Sequence, residues 1–181
     1  KFALGAIRTP AFAFHDKPNA RPDTPGLSDA GINAFNASYA DWRDTDVIFM
    51  QGVEPYETKT ILFTEWIQPG GATIVFVNPR RTFTAAYAEK HDGMHLQVTP
   101  GTDTVLNNAI ARHVIEQGWQ DEAFIRARTV DAAELAQETK WRRRMFGLTF
   151  DQYREWLLRD DTYTLAGASR VTGIPAEQIA R

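Results

Sequence analysis

Three short runs rich in apolar and β-branched residues occupy the middle of the chain, at 46–51, 72–77 and 94–98. Gly52 to Pro55 closes the first, Pro69-Gly70-Gly71 precedes the second, and Thr99-Pro100-Gly101 closes the third, so each reads as a strand. Between and after them the apolar spacing lengthens to that of a helix, over 57–67, 82–90 and 102–117. In the last helix Val105, Leu106, Ala109, Ile110, His113 and Val114 recur at three- and four-residue intervals and predict one buried stripe. Thr102 or Asp103 is placed to cap its first turn. The first two strands are almost wholly apolar, which predicts cover on both faces. Short apolar strands alternating with helices predict βαβ units with right-handed crossovers and a parallel sheet.

The flanks differ. Residues 1–30 carry Pro10, Pro18, Pro22, Pro25 and Gly26, and read as an irregular arm with one short strand at 11–14. Beyond Gly118 the pattern is helical. One helix starts at Asp121 and buries Phe124 and Ile125; another starts at Thr149 or Asp151 and runs through Tyr153, Trp156 and Leu157; a last one follows Ile174-Pro175. The expected fold is therefore α/β: an open, mostly parallel Rossmann-like sheet with flanking helices, an irregular N-terminal arm and a helical C-terminal segment. Its expected divisions are an arm at 1–37, a nucleotide-binding unit at 38–120, and a helical segment at 121–181 packed on or following it.

With 181 residues, 43% of them hydrophobic, the chain can bury one core. A net charge of −3 gives no electrostatic pull toward nucleic acid or an anionic membrane. No cysteine is present, which excludes disulfides, thiolate metal sites and cysteine nucleophiles from this stretch. No apolar run approaches the ~20 residues of a membrane span. Arg142 to Arg144 read as a solvated helix face. Because it opens at Lys1 and halts at Arg181 within a helical pattern, the chain reads as an internal piece of a longer protein.

Set side by side and parallel, the strands carry QGVEPYE (51–57), NPRR (78–81) and TPGTD (99–103) at their carboxyl ends. Open α/β sheets bind ligands at this edge. Gly52 and Gly101 permit close backbone approach. Glu57 and Asp103 can accept from ribose hydroxyls or from the donor edge of a purine, preferably guanine. Arg80 offers a planar fork for phosphate and a face for a base. Neither G-x-G-x-x-G nor a Walker A loop is present, which disfavours a standard NAD or P-loop site. A plainer reading is that these are ordinary turns, with Arg80 and Arg81 paired to surface carboxylates. His91, His95 and His113 read as structural, and no residue is assigned to metal.

The blocks VIFMQGVEPYETKT, IVFVNPRRT and LQVTPGTDTVLNNAIARHVIEQGW, followed by DEAFI, resemble the large subunits of molybdopterin oxidoreductases of the dimethyl sulfoxide reductase superfamily. There the loops commonly read G-x-N-P, D-P-R and P-G-T-D and contact the guanosine of one molybdopterin guanine dinucleotide. YTLAGASRVTGIPAEQIAR resembles the helical segment that follows, in which T-G-[IV]-P recurs. Two residues depart from the pattern: Glu54 stands where asparagine is usual, and Asn78 where aspartate is usual. Carried over position by position, the resemblance implies cofactor contacts from Gly52, Glu54, Glu57, Asn78, Arg80, Gly101 and Asp103.

Within that family PYETKT (55–60) and the arm AIRTPAFAFHDKPN (6–19) resemble the arsenite oxidase large subunit and its iodate reductase relatives. In arsenite oxidases the arm carries a substrate-pocket histidine with a glutamate eight positions on. His15 and Asp23 hold those positions here, aspartate keeping the charge with a shorter reach. The resemblance thus implies a molybdenum bis(molybdopterin guanine dinucleotide) enzyme that oxidises arsenite to arsenate, with His15 and Asp23 as catalytic groups. It also implies an iron–sulfur cluster outside this chain, a small iron–sulfur subunit, a soluble electron carrier and a periplasmic location. Reduction of iodate or another oxyanion is the nearest alternative. A non-catalytic nucleotide-binding module is the alternative from another class.

Overall fold

The computed structural model describes residues 39–128 and 149–181, which lie within one compact unit, Ser38–Arg181. Expectations for the arm, its strand at 11–14 and the run Arg142 to Arg144 fall outside the described residues.

Strands β1 (Val47–Gln51), β2 (Thr73–Val77) and β3 (Met94–Leu96) form a parallel sheet in that order. The register pairs Val47 with Thr73 through to Gln51 with Val77, and then Val75 with Met94 and Val77 with Leu96. All three strands therefore run toward one edge and end within a residue or two of one another. β3 is shorter than its apolar run, because the ladder closes where Asn78 N donates to Leu96 O at 3.2 Å.

The connection from β1 to β2 is a helix in pieces. α1 (Pro55–Thr58) breaks at Lys59, and α2 begins at Thr60–Leu62, widens to a π turn over Phe63–Ile67 and ends at Gln68–Gly70. Its threonines account for the irregularity. The hydroxyls of Thr58, Thr60 and Thr64 donate to the carbonyls of Glu54, Tyr56 and Thr60 at 2.7, 2.6 and 3.1 Å, in competition with the amides of the regular ladder. α3 (Phe83–Lys90) is cleaner, with Thr82 as its N-cap accepting from Ala85 N. α4 (Asp103–Glu116) follows β3. Then come α5 (Glu122–Arg128), α6 (Phe150–Arg159), α7 (Leu165–Thr172) and α8 (Ala176–Ala180). Thr149, rather than Asp151, starts α6, through a reciprocal capping box with Gln152.

Each face of the sheet has its own core. On one, Ile48, Met50, Ile74 and Phe76 pack against Phe63 and Ile67 of α2 and Ala85 and Ala88 of α3. On the other, Val77 and Leu96 pack with Val98, with Leu106 and Ala109 of α4, and with Ala168, Ile174 and Ile179 around α7 and α8. Full burial of a Phe or Ile here stabilises by roughly 1.5–3 kcal/mol apiece. The C-terminal helices thus belong to the sheet's second layer.

Two expectations are corrected. β1 is not covered on both faces: Val47 and Phe49 are 56% and 48% exposed. β1 is the end strand, and the helices of the second core gather over β2 and β3 instead. Phe124 is not buried either, at 58% exposed. α5 shares no extensive packing surface with another helix or strand among the described residues. The predicted stripe on α4 also contains an unforeseen member, buried Arg112. Its Nε donates to Glu116 Oε1 at 2.6 Å, and its Nη1 donates to the carbonyls of Leu157 and Asp160 at 3.1 and 2.9 Å, tying α4 to the end of α6.

Candidate functional site

The parallel register brings the three carboxyl-end loops to one rim. The first loop turns at Gly52, with φ +68°, and its N–H donates to Val77 O at 3.4 Å. The third turns at Gly101, with φ +85°. A Cβ at either position would meet nothing within 4 Å, so the left-handed backbone, not crowding, calls for glycine.

Side chains stitch the loops together. Both carboxylate oxygens of Glu54 accept hydrogen bonds, from the hydroxyls of Thr82 and Thr84, each at 2.5 Å. Thr82 and Thr84 are buried, so Glu54 clamps the first loop onto the start of α3. Asn78 Nδ2 donates to Val53 O at 3.4 Å, while its Oδ1 accepts from Arg80 N at 2.9 Å and shapes the second loop. Second and third loops meet where His95 Nε2 contacts Asn78 O at 2.8 Å and Gln97 Nε2 donates to Pro79 O at 3.0 Å. First and third loops meet where Gln51 Nε2 donates to Asp103 Oδ1 at 3.1 Å.

The third loop also leans on the C-terminal segment. Thr99 N donates to the carbonyl of Thr172, whose buried hydroxyl donates to Ala168 O and accepts from Ile174 N. Thr102 does not cap α4; its hydroxyl donates back to Thr99 O at 2.7 Å and tightens the loop.

Arg80 and Glu57 form an ion pair at 2.8 Å, and Arg81 pairs with Glu89 at 2.7 Å. The plainer reading, that both arginines pair with surface carboxylates, is thus met. The Arg80 and Glu57 side chains are 66% and 47% exposed, and a pair in such surroundings contributes about 0–1 kcal/mol. A ligand phosphate or hydroxyl competes with that on easy terms, so both groups remain available to a ligand.

The rim therefore offers carboxylate acceptors at Asp103 and Glu57, a planar cation at Arg80 and two glycine turns. That set fits a purine nucleotide, which presents hydroxyl and base donors together with phosphate. Glu54 and Asn78, both sequence candidates, are spent on fastening the loops. His15 and Asp23 lie outside the described residues. Among the described residues no group of three or more His, Cys, Asp or Glu is placed to hold a metal ion. Sequence reasoning missed Gln51, Thr82, Thr84, Gln97 and Thr172. Only Thr172 carried a signal, through its place in the Thr-Gly-Ile-Pro element.

Residues 11–167 match the molybdopterin oxidoreductase family. The chain belongs to that family. It is 42% identical to iodate reductase subunit IdrA of Denitromonas iodatirespirans, over 100% of this chain and 21% of that protein. Identity to arsenite oxidase subunit AioA of Herminiimonas arsenicoxydans is 29%, over 99% of this chain and 22% of that protein. The chain thus spans about a fifth of these relatives, and it stands nearer to the iodate reductase than to the arsenite oxidase named first by its motifs. Acetylene hydratase from Pelobacter acetylenicus has the same fold, with a TM-score of 0.56 at 20% identity, over 80% of this chain and 16% of that one. Membership in the family implies a molybdenum–molybdopterin cofactor.

Proposed function

We propose that this chain is the part of a molybdopterin oxidoreductase catalytic subunit that holds the guanosine end of a molybdopterin guanine dinucleotide, and that the whole protein reduces an oxyanion such as iodate. One observation carries the first half. Three loops from parallel strands are fastened at one rim with Asp103, Glu57 and Arg80 on it. When bound, molybdenum supplies the two-electron couple for oxygen-atom transfer. The chain's residues hold and orient the nucleotide tail: Asp103 and Glu57 accept from base and ribose donors, and Arg80 neutralises phosphate or lies against the base. Gly52 and Gly101 let the backbone come close.

The preference for iodate rests on the 42% identity to an iodate reductase subunit against 29% to an arsenite oxidase subunit. Arsenite oxidation is the second reading, since the arm with His15 and Asp23 resembles arsenite oxidases and their iodate reductase relatives alike. An iron–sulfur cluster elsewhere in the protein, a small iron–sulfur subunit, a soluble electron carrier and a periplasmic location complete the proposal. The test is to purify the full-length protein and measure molybdenum and acid-released GMP per chain, then turnover with iodate and with arsenite. We expect about one molybdenum and about two GMP per chain, with faster turnover on iodate. A protein free of molybdenum that still binds guanine nucleotides would instead be a non-catalytic module.

A further inference from the structure

Gln51 closes β1, and the sheet register holds it opposite Val77. Its side chain reaches from the first loop to the first residue of α4, where Nε2 donates to Asp103 Oδ1 at 3.1 Å. Both residues are half-buried at the rim. A lone aspartate turns freely about its last torsion and serves donors in many directions. With one oxygen fixed by an amide donor, the plane of the Asp103 carboxylate is set. Oδ2 and the second lone pair of Oδ1 are left as acceptors side by side. Such a pair suits two adjacent donors. Guanine has them, in N1–H and the 2-amino group; hypoxanthine keeps only the first.

Resting on the nucleotide reading above, we propose that Gln51 is a specificity-determining positioning residue. By orienting the Asp103 carboxylate it makes the rim select guanine over bases without the two-donor edge. It touches the base only through Asp103, and it differs from Glu54, whose two carboxylate oxygens are both taken by buried threonines. A hydrogen bond to a charged group is strong enough to matter here, at about a tenfold effect on binding.

The test uses the full-length protein produced without molybdate, titrated calorimetrically with GDP and with IDP. The wild type should bind GDP more tightly. Gln51→Leu, which keeps the volume and removes the donor, should weaken GDP about tenfold and IDP much less, bringing the ratio toward one, with an unchanged Tm. Gln51→Glu, which sets a second carboxylate against Asp103, should do the same near neutral pH, and it reads the same ratio should Gln51→Leu not fold. A GDP-to-IDP ratio that survives both substitutions overturns the inference and leaves the nucleotide reading standing. An equal loss of both nucleotides with a lowered Tm also overturns it, making Gln51 a strut. Equal binding of GDP and IDP by the wild type overturns the inference alone, and binding of neither overturns the nucleotide reading with it.

Discussion

Asp103 and Arg80 meet their partners on different terms, and their substitutions should differ accordingly. Asp103 accepts from a half-buried amide, whereas Arg80 holds Glu57 in solvent. Arg80→Ala removes an exposed pair worth about 0–1 kcal/mol, so Tm should hold while cofactor occupancy falls. Asp103→Ala removes the acceptor itself and should lower occupancy roughly tenfold. Molybdenum and GMP content per chain, read beside Tm, checks both, and full loading in the two variants would sink the loop assignment. His15 lies in the arm, for which the family resemblance implies a pocket role. His15→Ala should cut turnover while molybdenum content stays at the wild-type level, and unchanged kinetics would remove it from the pocket. At this scale Gly52, Arg80, Gly101 and Asp103 were legible because their chemistry is special wherever they stand. The fastening partners were not. Gln51, Thr82 and Thr84 are ordinary residues until another element is brought within hydrogen-bond distance.

Among the elements, strands and helices emerged close to where the apolar periods placed them, since burial of one face is what those periods encode. The departures have local causes. Threonine hydroxyls compete for the carbonyls of α1 and α2, and Phe124 projects from a seven-residue helix with little beneath it. Arg112 is the clearest element-scale surprise. A buried guanidinium on a largely apolar stripe satisfies the terminal carbonyls of α6. Arg112→Leu leaves those carbonyls without a donor and should lower the opening free energy of α6 by about 3 kcal/mol. Amide hydrogen exchange across 150–159 would measure it, and unchanged protection would mean that solvent replaces the arginine.

Beside that joint, hydrogen bonds from Thr162 hold the Asp160 carboxyl below the usual range. A depressed carboxyl contributes stability that is present above its unfolded value and is lost as pH falls through the folded one. Asp160→Asn should therefore lower stability near neutral pH, leave it little changed in acid, and so flatten the acid limb of the unfolding curve.

At the scale of the whole molecule, the chain accounts for 21% or 22% of the iodate reductase and arsenite oxidase relatives. One face of its end strand presents Val47 and Phe49 to solvent among the described residues. The 181-residue chain produced alone should show no turnover with iodate or arsenite, because on the proposed reading it holds one nucleotide end, and it spans only about a fifth of the relatives. Turnover by the separate chain, measured with a reduced dye and iodate, would contradict this. Composition alone determined that the chain could build a core and that it offers no thiolate ligand. Periodicity determined the order of strands and helices, and the motif blocks led to the molybdopterin family. Only the tertiary structure decided which candidates remain open to a ligand and which are consumed in holding the loops. Periodicity records how each segment faces the core, but hydrogen bonds such as those of Gln51 with Asp103 and Glu54 with Thr84 join residues 52 and 30 positions apart, and exist only once the sheet sets its register.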